Sequence, residues 1–450
     1  MDAAGSAWSE PVNSEAEIRR RVADRGAITF AEFMRLALYW PEGGYYRGLG
    51  IPIGGPAGDF YTSPLVHPAF GALLSVQLFQ MWQFMDRPSS FTVLEMGAGN
   101  GLLCRDVVEF SRNLPEGFPQ ALGYICLDVD AQPGVEMGST AAEGRPSVVR
   151  VDAHGPDWET LAPPPGIPVA RFRGCVLSNE LLDAIPVHQV TMQRGKLLEA
   201  YVALDQDELV IVHDNPSTPK LAERLDGLGV TLAEGQTAEI CLGLAHWAEM
   251  VSDVLEDGFV LTVDYGREAG DLYSNEDRPR GTLTTFYRHI QTDAPLLRIG
   301  GQDITAQVDF TSVINEGRKV GLQPVGYSTQ RGFLLNLGLQ GWQRGLTRQG
   351  LPQRQSDANR AGMVDLVRPG GLGDFKVLIQ GKGVGSPALW GFRAGGQPLG
   401  LERLMDSIPT PLMTPDHLDL NRGRDPGAGF EVEGYWPPLV VTDGDEEMRI

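Results

Sequence analysis

The sequence predicts an α/β fold: a Rossmann-like, mainly parallel sheet preceded by helices and interrupted by a β-rich, loop-rich insertion. Three observations predict it. The run Thr92-Val93-Leu94-Glu95-Met96-Gly97-Ala98-Gly99-Asn100-Gly101-Leu102-Leu103 passes from an apolar strand through alternate glycines into an amphipathic segment. Other apolar runs deliver Asp128, Asn179-Glu180 and Asp264 at their ends, and open α/β sheets bind ligands at the carboxyl ends of their strands. No internal period points to a repeat array instead.

At 450 residues the chain can bury one large core with a sizeable second lobe. Net charge is −21, from 37 basic and 58 acidic residues, and such a surface repels a phosphate backbone, so no nucleic-acid partner is expected. No apolar run is long enough to predict a membrane span, and the N-terminus lacks a basic segment followed by an apolar one. A cytoplasmic location is the expectation. Cys104, Cys126, Cys175 and Cys241 stand far apart in apolar segments and read as buried thiols. With neither C-x-x-C nor clustered histidines, no metal is expected.

In chain order, Ser14 to Arg25 reads as a helix stopped by Gly26. Thr29 with Glu32 forms a capping box ahead of a second helix closed by Pro41. The glycine-rich stretch Gly43 to Gly58 leads into Asp59, and Tyr45, Tyr46 and Arg47 are candidates for a lid. Thr62-Ser63-Pro64 follows, with Ser63 as N-cap and Pro64 opening one long helix to Met85 with an apolar face. After the glycine run, strands are expected to end at Asp128, Asp152, Asn179 and Asp264. Short strands are predicted from Val187 to Val212, and a helix from Glu239 carrying Leu244, Trp247 and Val251 on one face, with His246 toward solvent. Gly281 to Phe310 reads as a long polar loop on the substrate side, containing His289 and ending at Asp309 as a helix cap. A late strand covers Lys376 to Gln380, and a Gly-, Pro- and Asp-rich tail follows. The expected division is a helical cap and cofactor-side loop over 1–85, a core over 86–380 with its insertion at about 187–235, and an acidic extension over 381–450.

The glycine spacing chooses among cofactors. A dinucleotide site favours G-x-G-x-x-G, whereas here the pattern is G-x-G-x-G preceded by Glu95. S-adenosyl-L-methionine fits better, because its ammonium and carboxylate need polar contacts at the first loop and its ribose diol an acid on the second strand. Gly58, Thr62, Glu95, Gly97, Gly99, Gly101, Asp128, Asp152 and Asn179 are the candidate cofactor residues. Glu180 and Asp183 stand three residues apart, so one helical turn puts both carboxylates on one face.

Several stretches together resemble the MidA-like family of class I methyltransferases, which includes the mitochondrial complex I assembly factor of that type. They are Gly58-Asp59-Phe60 with Thr62-Ser63-Pro64, Glu95-Met96-Gly97-Ala98-Gly99 with Gly101, Asn179-Glu180 with Asp183-Ala184 and Pro186-Val187, and Asp264-Tyr265-Gly266. Gly281-Thr282-Leu283, His289, Gln302 to Ala306 with Val308-Asp309-Phe310, and Gly373 with Phe375 to Leu378 follow in family order. The resemblance implies a class I methyltransferase Rossmann-like seven-stranded sheet, with N-terminal helices and an elaborated substrate side. It also implies S-adenosyl-L-methionine as cofactor, S-adenosyl-L-homocysteine as product and, from the mitochondrial relative, arginine of a complex I subunit as acceptor. Leu127-Asp128-Val129-Asp130 replaces the family's glutamate-centred phrase, and Gln307 stands where the family has a histidine.

The expected function is methyl transfer to a protein, with arginine nitrogen as the acceptor the resemblance favours. Glu180 is the first candidate base, supported by Asp183, Asp59 and Asp264. For a hydroxyl acceptor, His289 becomes the better proton acceptor. Two alternatives stay open: an O- or N-methyltransferase acting on a peptide or small molecule, and a non-catalytic assembly or binding protein retaining the cofactor fold. A homodimer is left open as well.

Overall fold

The central sheet consists of β1 (Phe91–Met96), β2 (Leu122–Asp128), β3 (Ser147–Asp152), β4 (Phe172–Asn179), β5 (Leu255–Asp264), β6 (Gln323–Thr329) and β7 (Lys376–Lys382). Their spatial order is β6-β7-β5-β4-β1-β2-β3. The first five run parallel, and β7 inserts antiparallel to both β5 and β6. This computed structural model describes residues 13–47, 61–129, 147–153, 155–157, 159–160, 164–288, 290–393 and 398–420.

Central parallel strands read as continuous apolar runs because both faces are covered. Alternate residues serve opposite layers. Val93, Leu177, Leu261 and Val263 face one cluster with α3 (Ala69–Phe84) and α4 (Leu102–Ser111); Leu94, Val176, Val260 and Leu378 face another with α5 (Gly243–Val254) and α6 (Phe310–Lys319). At roughly 25 cal/mol per Å² of apolar surface removed from water, burial of both layers is a large favourable contribution to folding.

The first two helices, α1 (Ser14–Arg25) and α2 (Phe30–Tyr39), are capped as their sequences dictate. The side chains of Asn13 and Thr29 accept from the amides of Ala16 and Glu32. Between these helices the short strand Ala27–Thr29 joins a second sheet made of His188–Gln193, Lys196–Asp205, Glu208–Asp214 and Thr237–Ile240. Phe30, Phe33, Leu36, Val187, Val202 and Ile304 then form one apolar cluster. The N-terminal helices and the β-rich insertion therefore share a core.

Four local expectations are corrected. Ser63 does not open one long helix: Ser63–Val66 is a single turn, His67 leaves helical geometry, and α3 starts at Ala69. That helix is buried on nearly all sides rather than on one face, its glutamines being satisfied by the late chain. Gln77 and Gln80 accept from the amides of Gly391 and Trp390 at 3.1 and 2.7 Å. Glu239 lies in a strand, not a helix, and its buried carboxylate accepts from the amide of Thr282 at 2.7 Å and the side chain of Gln189 at 3.2 Å. The polar stretch after Gly281 is not a bare loop but carries a small sheet of Thr284–Tyr287, Ile290–Thr292 and Asp303–Thr305.

Beyond β7 the chain turns back onto the body. Met413 N donates to Asn359 Oδ1 at 2.8 Å, an oxygen that His67 Nε2 also reaches at 3.1 Å. Buried His417 contacts Asp106 Oδ2 at 3.0 Å and Thr414 Oγ1 at 2.7 Å.

The centre of the sheet is also its tightest place. Gly174 in β4 has φ +154°, and a Cβ there would lie 1.9 Å from the carbonyl oxygen of Thr92 in β1. Backbone cannot yield as a side-chain tip can. Gly174→Ala is expected to lower stability by about 3 kcal/mol, read as a fall in denaturant midpoint; an unchanged midpoint contradicts the packing described.

Candidate active site

The loop after β1 is a tight backbone cradle. Gly97, Gly99 and Gly101 adopt φ of +71°, +50° and +75°, conformations open to glycine but costly for most residues. Gly97 N donates to Leu127 O at 2.8 Å, Gly101 N to Ala98 O at 2.8 Å, and Gly101 caps α4. Asp128, at the end of β2, accepts from Gly99 N at 2.6 Å. Arg150 Nη2 donates to Gly99 O at 2.5 Å, fixing the loop from β3. Asp152 lies opposite Asp128 in the β2–β3 register and is exposed.

Glu95 sits beneath this loop, buried and accepting from the hydroxyl of Tyr124 at 2.7 Å. Burial raises its pKa to about 8, outweighing the Tyr124 hydrogen bond that lowers it.

At the end of β4 the chain makes an unusual turn. Asn179 is the last strand residue, and Glu180 follows with φ +51°, a left-handed conformation rare for a side chain of this size. Glu180 N donates to Val263 O at 2.9 Å, and Asn179 Nδ2 donates to Glu180 Oε1 at 3.0 Å. The amide of Ser63 also favours the ionised carboxylate. Desolvation nonetheless wins: burial, then the charge of Asp183, brings the Glu180 pKa to about 8.

Asp183 lies in the 3-10 turn Leu182–Ala184, buried, with the phenol of Tyr265 donating to Oδ2. Burial raises its pKa to about 6 against that hydrogen bond. The same turn is held by Tyr39, whose hydroxyl donates to Ala184 O at 2.9 Å, and by Ala306, whose amide donates to Asp183 O at 3.1 Å.

Asp264 was expected among the substrate-facing acids, and its geometry corrects that. Fully buried, it accepts from Leu181 N at 3.1 Å and Leu182 N at 2.9 Å through Oδ2, and from Tyr265 N at 2.8 Å through Oδ1. Its carboxylate serves the backbone that presents Glu180 and Asp183. Tyr45 is likewise a core residue rather than part of a lid. Of the remaining candidates, Thr62 precedes the Ser63 turn without a side-chain capping bond, while Gly58, Asp59 and His289 lie outside the described residues.

The structure thus brings two groups together at adjacent strand ends: Glu95, the glycines and Asp128 on one side, Asn179, Glu180 and Asp183 on the other. Residues not singled out as site candidates also enter. Tyr39 comes from α2, and Asp303, buried, accepts from the hydroxyl of Tyr46 at 2.9 Å. The run Gln302 to Ala306 carried the only sequence signal for Asp303. Nothing local marks Tyr39.

The model of a family of S-adenosyl-L-methionine-dependent methyltransferases matches residues 73–328. The chain belongs to this family. Its sheet order, with antiparallel β7 between β5 and β6, is that of class I methyltransferases. A solved structure from Burkholderia thailandensis, bound to S-adenosyl-homocysteine, superposes with TM-score 0.71 at 27% identity, covering 87% of this chain and 100% of its own. A mitochondrial protein arginine methyltransferase of Drosophila melanogaster, the NDUFAF7 homolog, is 28% identical over 82% of this chain and 84% of its own length. The Mus musculus NDUFAF7 is 27% identical over 74% and 77%.

The protein is therefore an enzyme, a methyltransferase that binds S-adenosyl-L-methionine. One expectation is corrected by these relatives: a cytoplasmic location was read from the sequence, whereas the curated relatives are mitochondrial proteins. Among the described residues no helix is long and apolar enough to cross a membrane.

Two expected outcomes follow from this geometry. Glu95 and Glu180 both have folded-state pKa values near 8, against about 4.3 for an unfolded glutamate. The native state then binds more protons than the unfolded one between those values, so stability is greatest at the acid end and falls as pH rises toward 8. Thermal midpoints of ligand-free protein from pH 5 to 8.5 should decline, and less steeply in Glu95→Gln; parallel profiles contradict the raised Glu95 value. Asp264→Asn leaves an amide nitrogen that cannot accept, so at least one backbone donor is orphaned at about 1–3 kcal/mol. That variant should melt earlier and transfer methyl more slowly with S-adenosylhomocysteine affinity intact. Wild-type turnover would remove Asp264 from the support of the turn.

Proposed function

We propose that the enzyme methylates a guanidinium nitrogen of arginine in a protein acceptor, with Glu180 taking the proton that the nitrogen loses. The observation that carries this reading is the pair Glu180, at the end of β4, and Asp183, in the 3-10 turn that follows, two buried carboxylates with raised pKa values beside the glycine loop. Carboxylates held partly neutral by desolvation ionise when a cation arrives, so a planar guanidinium is a natural counterion. A pKa near 8 also places Glu180 close to the working pH of a general base. The curated relatives named protein arginine methyltransferases support the same acceptor class.

The residues present suit the cofactor. A Cβ added at Gly99 would meet nothing within 4 Å, which leaves bare backbone open to a ligand at the middle of the loop, while at Gly97 it would meet Leu181 at 3.0 Å. Asp128 stands at the second strand end to hold a ribose diol. Asn179 has a buried side-chain oxygen without a hydrogen-bond partner among the described residues, suited to an ammonium or amino donor. Glu95 fixes the floor of the loop, and Thr62 and the exposed Asp152 complete the assignment, with Gly58 carried by the sequence alone. Bound S-adenosyl-L-methionine supplies an electrophilic methyl group on a sulfonium. The protein's contribution is to select the cation, aim its nitrogen and accept one proton at a Glu180 carboxylate oxygen. Asp183, tied to Tyr265, keeps the orientation while charge moves. Asp59 and His289 remain assignments from sequence, the first beside the substrate and the second as an alternative proton acceptor.

Glu180→Gln tests the role directly. Cofactor binding by calorimetry should persist, while transfer of labelled methyl to arginine-containing protein falls by about 10²-fold or more. Unchanged turnover overturns the role of Glu180. Label recovered on a hydroxyl, or on a small molecule in place of arginine, overturns the acceptor.

A further inference from the structure

One buried glutamine links the Glu180 carboxylate to the far edge of the sheet. Gln330 follows β6 and opens the helix Gln330–Asn336, and its backbone amide donates to Phe375 O at 2.7 Å, just before β7 begins. Its side chain is fully buried, which is costly for an amide unless both ends are bonded. Both are. Nε2 donates to Leu366 O at 2.9 Å, and Oε1 accepts from the hydroxyl of Ser63 at 3.1 Å. A carbonyl can only accept, so Leu366 decides which end of the amide faces Ser63, and the Ser63 hydroxyl must be the donor.

Ser63 is itself fully buried and starts the single turn Ser63–Val66, a stretch too short to hold its own place. Thr62 gives that turn no side-chain cap, so contacts from outside fix where it sits. The Gln330 bond, made across 267 positions of sequence, is one of them. The amide of the same Ser63 donates to the Glu180 carboxylate. Glu180 Oε1 also accepts from Asn179 Nδ2 at 3.0 Å, but Asn179 is its chain neighbour and arrives with the end of β4. Ser63 is the donor brought from elsewhere in the fold.

We propose that Gln330 is a positioning residue for Glu180: by holding the Ser63 hydroxyl it fixes the backbone amide that donates to the Glu180 carboxylate. Its action is indirect, through Ser63. The importance of the link for methyl transfer rests on Glu180 as the proton acceptor proposed above, whereas the link itself is a property of the ligand-free protein. A hydrogen bond donated to a carboxylate favours its ionised form, so an amide released from its tether leaves Glu180 protonated to higher pH. Asp183, Asp264 and Asp303 interact with the same carboxylate and disfavour its charge. Substitution at Gln330 or Ser63 removes none of these acids, and a change in the Glu180 titration therefore reports the amide.

The test is a pH titration of carboxyl-labelled glutamate by NMR in protein without acceptor, the Glu180 signal being assigned by its loss in Glu180→Gln. Gln330→Met keeps the length of the side chain and removes the acceptor; Ser63→Ala removes the donor. Each should raise the Glu180 midpoint by roughly one pH unit, with S-adenosylhomocysteine affinity unchanged as evidence of an intact fold. The double variant should shift no further than either single one, because both act through one bond. An unchanged midpoint in both single variants overturns the proposal, as do shifts that add in the double variant, the mark of two unrelated packing defects. Should Gln330→Met lose S-adenosylhomocysteine because Leu366 O has lost its donor, Ser63→Ala decides alone. A raised midpoint in Ser63→Ala with an unaltered pH profile of methyl transfer leaves the tether in place and overturns only the role of Glu180 as proton acceptor.

Discussion

Three backbone amides converge on one carboxylate, and the active-site turn hangs from that convergence. Asp264 takes Leu181, Leu182 and its own neighbour Tyr265, so the ends of β4 and β5 are fastened where the chain leaves the sheet. Glu180 can then keep a left-handed backbone that it would abandon in isolation, at a cost of order 1–3 kcal/mol. Hydrogen bonds of this kind contribute about 0.5–1.5 kcal/mol each, and the three together are enough to hold the strained residue. Strain here is local, and its support is two strands wide.

The second constraint is electrostatic. Glu95, Glu180, Asp183, Asp264 and Asp303 are gathered at the carboxyl edge of the sheet, and desolvation is the leading cause of the raised pKa in the first four. Hydrogen bonds from Tyr124, Asn179, Tyr265 and the backbone lower these values without reversing them. Ionising several of these acids at once in the ligand-free site is costly.

Much of this was legible in the residues. The glycine cradle, the strand ends at Asp128, Asp152, Asn179 and Asp264, the cap at Asp309 and the early helices all follow from local chemistry, because turns and caps are decided by a few neighbouring side chains. Where long-range contacts decide, the reading slipped. Glu239 sits in a helix-like pattern but is claimed by Thr282 and Gln189 from elsewhere in the chain. Asp264 looked like a substrate-facing acid because its position at a strand end is shared by both kinds of residue; only its three amide partners distinguish them. Tyr39 and Asp303 were invisible as neighbours since they stand 264 positions apart in the sequence, while the fold brings their elements to the same turn, through Ala184 and Ala306.

The late segment offers one more consequence. Met413 and His417 reach back to Asn359 and Asp106, around His67 and just beyond the Ser63 turn whose amide meets Glu180. A ribosome delivers residues in order, so the helices near the cofactor loop emerge hundreds of residues before the contacts that brace them. During that interval Asp106 lacks His417 and His67 lacks Asn359, so this face of the fold is completed only when the late chain arrives.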